Sequence, residues 1–369
     1  MGFDINSKHS AKATTTVQRL VRDGFIALAL TLTVVTPSVG QTADELRAMA
    51  QAQLGALEPV TEREVASPAV DLGRKLFWDS RLSSDGNTAC ASCHYQQAWG
   101  SDSRQRSMTA RGEPTGMHSM TVFNTQVAAA GLRWFGDRPS GAAQAIGSIT
   151  GSMGFESRED ILPVMAEHGY EEGFQQAFPD DSDYFSVDNY GEALEAYQRA
   201  LRTPAPFDAW LNGDDSAMSD KQSQGLRRFL TLGCGSCHNG VLLGGGSLQR
   251  FGTLADYWEH TGVQDPHPGL MASTGREEDR YRFRVPSLRN VAKTPPYFHD
   301  GSVDQLESAV NIMATIQLGQ TLDDESLDEL GAFLEALTGD IPAYFSPPEG
   351  VPFELPEGVK QAPFGRSGG

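Results

Sequence analysis

The chain has 369 residues, which suits two ordinary domains or one large one, and 39% of them are hydrophobic, as in a globular protein with real cores. Its formal net charge of −19 argues against nucleic acid as a partner, because an acidic surface repels phosphates. The charge suits a basic protein partner, and it equally suits a protein that only has to stay dissolved.

The first forty residues have the pattern of an export signal. Four basic residues precede the apolar run FIALALTLTVV (25–35), and small residues follow at 38–40. We expect residues 1–40 to be a signal peptide that is cleaved on export to the periplasm. The alternative is a membrane anchor, for which the run is short. No later segment is apolar enough, so we expect no membrane span after cleavage.

All four cysteines lie in two copies of one pentapeptide, CASCH at 90–94 and CGSCH at 234–238. In C-x-x-C-H the two thiols can bond the vinyl groups of one haem, and the next histidine becomes an axial ligand of the iron. A zinc site or a thioredoxin-like redox motif would leave both histidines unexplained. We therefore expect two covalently bound c-type haems, attached through Cys90, Cys93, Cys234 and Cys237, with His94 and His238 as iron ligands.

The sequence before each motif is also repeated, as GRKLF (73–77) and GLRRF (225–229), and both copies have helical composition. We expect a mainly α fold with two cytochrome c-like haem domains and long loops. A helical pattern over 187–201 is followed by prolines and a Gly-Asp turn, which predicts a domain boundary. The predicted organisation is an N-terminal domain at 41–205, a C-terminal domain at 206–345 and an extended tail at 346–369.

Two more helices are predicted towards the C-terminus. The segment 302–319 contains Met313, which by spacing alone is more typical of a core methionine than of an iron ligand. Apolar residues after Asp323 follow helical spacing, and Gly339 can end that helix. We expect this last helix to close one face of the second haem pocket.

Two longer segments carry a family resemblance. FRVPSLRNVAKTPPYFHDGSVDQLESAVNIMATIQLG (283–319) and GRKLFWDSRLSSDGNTACASCH (73–94) are similar to the bacterial di-haem cytochrome c peroxidases, the broad family that includes MauG-type enzymes. The resemblance implies that hydrogen peroxide is cleaved at the N-terminal haem. It also implies that the C-terminal haem receives electrons from a small cytochrome c or a copper protein, and that a homodimer is possible.

The resemblance extends to single residues. Met313 matches the methionine ligand of the C-terminal haem, where MauG has tyrosine, so the resemblance favours the peroxidase branch. Trp134 matches the tryptophan that carries electrons between the haems, and Gln144 matches a glutamine near the peroxide. Thr294 and Pro296 match two contacts of a calcium ion between the haems.

The chain departs from the family pattern at three places. Residues 107–114 lack the histidine that blocks the N-terminal iron in many members, so we expect this iron to be open at rest, with Met108 as the weaker alternative ligand. The catalytic glutamate position falls on Gly154, and Glu156 is the candidate acid–base group. The asparagine of the calcium site is replaced by His118, which weakens the calcium prediction.

The predicted activity is reduction of hydrogen peroxide to water, with Gln144 positioning the peroxide and Glu156 moving its proton. Two alternatives stay open. A MauG-type enzyme would oxidise a tryptophan or tyrosine of a partner protein, and the missing glutamate and histidine favour it. A non-enzymatic di-haem electron carrier would need both irons six-coordinate, and the sequence offers no obvious second ligand for the first haem.

Overall fold

The structure, a computed structural model, describes residues 42–125, 130–357 and 359, and the predicted signal peptide lies outside them. The described residues are mainly helical, with one small antiparallel sheet. None of their helices combines the length and the apolar character that a membrane crossing requires. The chain from Thr42 onward forms one compact unit, so the predicted division near residue 205 stays a prediction.

The α-helices in chain order are α1 (Ala43–Gln51), α2 (Glu62–Val65), α3 (Pro68–Trp78), α4 (Gly141–Thr150), α5 (Ile161–Glu167), α6 (Glu171–Ala177), α7 (Val187–Ala200), α8 (Pro206–Leu211), α9 (Asp220–Thr231), α10 (Tyr257–Thr261), α11 (Met271–Thr274), α12 (Leu306–Leu318) and α13 (Asp324–Glu335). Strands β1 (Leu248–Arg250) and β2 (Arg282–Arg284) pair with Leu248 opposite Arg284.

The helix before the first C-x-x-C-H motif, α3, packs across α7. The Ser67 hydroxyl caps α3 by accepting a hydrogen bond from the Val70 N–H, and proline follows in the first turn. Gly73 lies at the crossing. A Cβ on this residue would overlap the Ala193 carbonyl oxygen and come within 2.8 Å of the Tyr197 Cβ. The glycine therefore lets the two backbones approach.

The second motif repeats this arrangement. Helix α9, which precedes it, packs across α13, and Gly225 lies at that crossing. A Cβ on Gly225 would overlap the Glu329 carbonyl oxygen and come within 2.8 Å of the Phe333 Cβ. The repeated sequence GRKLF and GLRRF thus folds into two equivalent helix crossings.

Each crossing has its own hydrophobic core. One large cluster of buried side chains surrounds α3 and α7, with Phe77, Tyr190 and Tyr197 among its members. A second surrounds α9 and α13, with Phe229 and Phe333 among its members. A much smaller cluster lies at Tyr297, Val303 and Ala309. Two separate cores agree with two haem units of related design.

Two arms, one near each end of the described part of the chain, pack into the core of the opposite motif. In the N-terminal arm (residues 43–57), Leu46, Ala50 and Leu54 are buried in the second core. In the C-terminal arm (residues 341–353), Phe345 is fully buried in the first core. Each core is therefore completed by residues from the opposite end of the sequence.

A buried hydrogen-bond network also joins distant parts of the chain. The amide groups of Asn124 and Asn290 both donate to the Thr203 hydroxyl, each at 2.9 Å. The Asn290 side-chain oxygen accepts from the Gly339 N–H at 3.0 Å. Since each side chain is at most 2% exposed, these bonds satisfy polar groups that water cannot reach.

Candidate haem sites and the cavity between them

Both C-x-x-C-H motifs form the same short turn. The Cys90 carbonyl accepts hydrogen bonds from the backbone N–H groups of Cys93 and His94, both at 3.1 Å. The Cys234 carbonyl accepts from Cys237 at 3.3 Å and from His238 at 2.9 Å. In each motif a single turn holds two thiols beside the imidazole, which is the arrangement that attachment to one haem requires. All four thiols are free of disulfides.

Both histidines are oriented for metal binding. The Nδ1 atom of His94 lies 3.0 Å from the Gly100 carbonyl oxygen, and that of His238 lies 3.1 Å from the Leu243 carbonyl oxygen. Because a carbonyl only accepts, Nδ1 carries the proton and Nε2 keeps its lone pair for a metal. Burial lowers the pKa of both rings, which favours the neutral form. Both sites fit a haem held by histidine.

The other interpretations of the cysteines fit less well. A redox motif needs a thiol with a lowered pKa, but burial raises the pKa of Cys90 to about 12 and that of Cys234 to about 11. Across the described ranges, no three His, Cys, Asp or Glu side chains are grouped to hold a metal ion.

A cavity of about 100 Å³ lies between segments that follow the two motifs. Trp134, the predicted electron carrier, lines it, and its indole N–H donates to the His118 carbonyl at 2.9 Å. Thr294 and Pro296 line the same cavity. The structure thus brings together the tryptophan and the predicted calcium contacts. None of the cavity-lining residues is a carboxylate, so calcium would meet only neutral oxygen atoms from them.

Gln144 lies on α4, and only one of the two polar atoms of its side-chain amide has a hydrogen-bond partner among the described residues. Its Nε2 group donates to the Ser148 hydroxyl at 3.3 Å. Its Oε1 atom is buried and has no hydrogen-bond partner among the described residues. Because a buried carbonyl oxygen normally accepts a hydrogen bond, this atom suits a small polar molecule. Its predicted role with peroxide stays a prediction.

Glu156 lies at the surface. Its side chain is 93% exposed, and its carboxylate lies 3.6 Å from the Arg111 guanidinium. The same guanidinium also donates to the Gly154 and Phe155 carbonyls, which ties this loop to the segment 107–114. Glu156 would have to move to reach a buried site, so its role as acid–base group stays a prediction.

The two methionine candidates lie in different settings. Met313 is partly buried on α12 and is not among the residues that line the cavity. Met108 is 42% exposed, while its backbone carbonyl lies 3.9 Å from the Cys93 sulfur. The segment without the blocking histidine therefore lies against the first motif. The roles of Met313 and Met108 as iron ligands stay predictions.

The sequence did not single out two arginines that line the cavity, Arg284 and Arg289, which are 4% and 1% exposed. Arg289 forms a buried ion pair with Asp208 at 2.6 Å. Arg284 packs against the segment that carries Trp134. The signal that could have revealed them is the charged pair within the apolar stretch FRVPSLR (283–289).

Comparison with known proteins assigns the family. A model described as di-haem cytochrome c peroxidase matches residues 67–216. The chain is 38% identical to cytochrome c551 peroxidase of Pseudomonas aeruginosa, over 77% of this chain and 84% of that protein. It is 33% identical to cytochrome c551 peroxidase of Nitrosomonas europaea, over 88% of this chain and 95% of that protein.

A solved structure gives the same answer. The crystal structure of a MauG-like protein associated with microbial copper homeostasis superposes with a TM-score of 0.69 and 26% identity. The match covers 79% of this chain and 97% of that one. The chain therefore belongs to the di-haem cytochrome c peroxidase family, a family of oxidoreductases that carry two haems.

Proposed function

We propose that the protein reduces hydrogen peroxide to water at a haem attached through Cys90 and Cys93. A small cytochrome c or a copper protein supplies electrons to the haem attached through Cys234 and Cys237. The observation that carries the proposal is the cavity between the segments that follow the two motifs, which Trp134 lines. An aromatic side chain there offers electrons a path from one haem to the other.

The residues of this chain divide the work. His94 and His238 would each hold a haem iron through Nε2, and the carbonyl that accepts the hydrogen bond from Nδ1 would increase the basicity of the ring. A haem iron with one open position supplies the binding of peroxide and the exchange of electrons. Met313 is the proposed second ligand of the C-terminal iron, where methionine raises the reduction potential.

Gln144 and Glu156 are the proposed partners of the peroxide. The unpaired Gln144 Oε1 atom can accept a hydrogen bond from a peroxide O–H group and so fix its orientation. Glu156 takes up and returns the proton, as the acid–base group, after its loop leaves Arg111. The high exposure of Glu156 supports exchange of that proton with bulk water.

The proposal includes the organisation of the chain. Residues 41–205 and 206–345 supply most of the two cytochrome c-like domains, and the N-terminal and C-terminal arms are exchanged between them. The equivalent glycine crossings at Gly73 and Gly225 support this division. Residues 1–40 direct the chain to the periplasm. Calcium at Thr294 and Pro296 is part of the proposal, and elemental analysis after dialysis against calcium-free buffer tests it. One calcium ion per chain would support the proposed site, and a protein without bound calcium would contradict it.

A MauG-type activity towards a partner protein is the second candidate. It is favoured by the lack of a buried carboxylate where the family has its catalytic glutamate. Gly154 occupies that position, and the nearby Glu156 side chain is exposed to solvent. The likeness to a MauG-like protein at 26% identity agrees with this candidate. Slow turnover with every small donor, together with fast reaction with peroxide, would favour it over the peroxidase.

The first test mixes the oxidised protein with hydrogen peroxide in a stopped-flow spectrometer and follows the Soret band. We expect a fast change, followed by turnover when reduced cytochrome c is added. A change that requires prior reduction of the second haem would reveal a hidden ligand, with Met108 and His118 as the first residues to replace. No change even after reduction would contradict the proposal and favour an electron carrier.

A further inference from the structure

Arg284, the last residue of β2, is held firmly beside Trp134. Its backbone N–H donates to the Trp134 carbonyl at 2.7 Å, and its Nε group donates to the Arg133 carbonyl at 2.8 Å. One terminal nitrogen contacts the Met120 sulfur at 3.2 Å, which is a weak acceptor. The side chain is 4% exposed and lines the cavity. The guanidinium is therefore fixed in place inside the molecule.

This buried cation has no carboxylate partner among the described residues. No Asp or Glu lines the cavity, whose other titratable or charged side chains are His118, Tyr297 and Arg289. No ion pair within 4.0 Å among the described residues involves Arg284. Arg289, which lines the same cavity, binds both oxygens of Asp208, at 2.6 and 2.8 Å. One of the two arginines is thus neutralised and the other is not.

An unpaired buried charge is costly, so such groups normally have a counter-ion. Burial lowers the pKa of Arg284 to about 10, yet the group remains charged at neutral pH. A guanidinium fork matches the two oxygens of a carboxylate. The two haems of the family bring such groups, because each carries two propionate side chains.

We propose that Arg284 is the counter-ion of a haem propionate in the cavity between the haems, and that its bonds to the 133–134 segment fix this propionate relative to Trp134. The proposal needs the two haems of the family but not the peroxidase activity. The cation should raise the reduction potential of that haem, because it stabilises the added electron. It should also keep the propionate ionised.

The test measures the reduction potential of each haem against pH by spectroelectrochemistry, in Arg284→Gln, Arg284→Lys and the unchanged protein. In Arg284→Gln we expect one potential to fall. We also expect the inflection caused by the propionate to move up by about one to three pH units, since a nearby cation lowers a carboxyl pKa by that amount. Arg284→Lys keeps the charge and should show smaller shifts of the same sign.

The control is Arg138→Gln, which removes a partly exposed arginine that does not line the cavity and should leave both potentials unchanged. Unchanged profiles in Arg284→Gln would overturn the proposal. Equal shifts in the Lys and Gln variants would also overturn it, because they would indicate a structural role. If the Gln variant does not fold, an unmoved inflection in the Lys variant overturns it.

A second arm separates the propionate from a free anion. The potentials of the unchanged protein are measured with chloride, phosphate and acetate in turn at constant ionic strength. Potentials that do not depend on the anion support the propionate. Potentials that follow the added anion would show that a free ion neutralises Arg284, and would overturn the proposal.

Discussion

At the scale of single residues, each predicted iron ligand is oriented by a carbonyl five or six residues further along the chain. The sequence predicted His94 and His238 because the motif specifies residue types. It could not predict the carbonyls of Gly100 and Leu243, because every residue has a backbone carbonyl and only the path of the loop selects one. For the same reason the sequence could not predict that the carbonyls of Arg133 and Trp134 hold Arg284 in place.

Trp134 allows a test of the electron path. Trp134→Phe keeps an aromatic ring but removes the N–H that donates to the His118 carbonyl. We expect the reaction of the first haem with peroxide to keep its rate. Transfer from the second haem should slow by about tenfold, which corresponds to about 1.4 kcal/mol in the barrier. Stopped-flow reoxidation of the reduced second haem measures it, and an unchanged rate would exclude Trp134 from the path.

Gly154 shows why the glutamate of the family cannot simply be restored. Its φ is +80°, which disfavours any side chain, and a Cβ there would overlap the Ser84 hydroxyl. We expect Gly154→Glu to lower the free energy of unfolding by about 1–3 kcal/mol. Gly154→Ala should cost nearly as much, because the backbone and not the carboxylate causes the loss. Urea denaturation followed by circular dichroism measures both variants, and a stable Gly154→Glu protein would contradict this account.

At the scale of elements, the helical patterns were sufficient to predict the helices around the motifs. The pattern over 187–201 is confirmed as α7, and the segment 302–319 contains α12. The last helix begins as predicted, with Asp323 as its cap, but α13 ends at Glu335 rather than near Gly339. The Gly339 N–H instead donates to Asn290, a long-range contact that no local pattern reveals.

The two glycine crossings give the sharpest prediction at this scale. Gly73→Ala and Gly225→Ala should each lower the free energy of unfolding by about 1–3 kcal/mol or more, because the added methyl group meets a backbone carbonyl that cannot turn away. The matched control is Gly331→Ala on α13, where a Cβ meets nothing within 4 Å.

Gly331→Ala should raise the free energy of unfolding by up to about 1 kcal/mol, since alanine is the better helix former. Urea unfolding followed by circular dichroism compares the three variants. Equal effects at all three positions would show that helix propensity, and not close approach, explains the glycines.

At the scale of the whole molecule, the two arms couple cores that are distant in sequence. Phe345 of the C-terminal arm contacts Phe77, Trp78 and Phe123, with ring centroids 4.8 to 5.8 Å apart. Motifs and periodicity could not predict this exchange of arms, because it depends on contacts between residues more than 150 positions apart.

Phe345→Ala should lower the free energy of unfolding by about 3–5 kcal/mol, as expected for a buried aromatic ring. Leu254→Ala is the control, because Leu254 is 63% exposed and should change stability by no more than about 0.5 kcal/mol. Urea unfolding monitored at the haem and by circular dichroism measures both. If the two variants were equally stable, the C-terminal arm would not be part of the core.

The formal net charge of the whole 369-residue chain is −19. If a basic cytochrome c is the donor, long-range attraction should speed its association. We therefore expect kcat/KM for that donor to fall as sodium chloride is raised from 10 to about 150 mM, since the screening length shortens to about 8 Å. A rate that does not depend on salt would point to an uncharged docking surface.

The crossed arms also set an order of assembly. A ribosome releases α3 and the first C-x-x-C-H motif long before it releases Phe345, whose ring closes the core around them. The second core, by contrast, receives its N-terminal arm from residues that are already present when α9 and α13 emerge. The unit that is synthesised first is therefore the last to be completed, so a haem that bonds to its motif would meet a core that is still open.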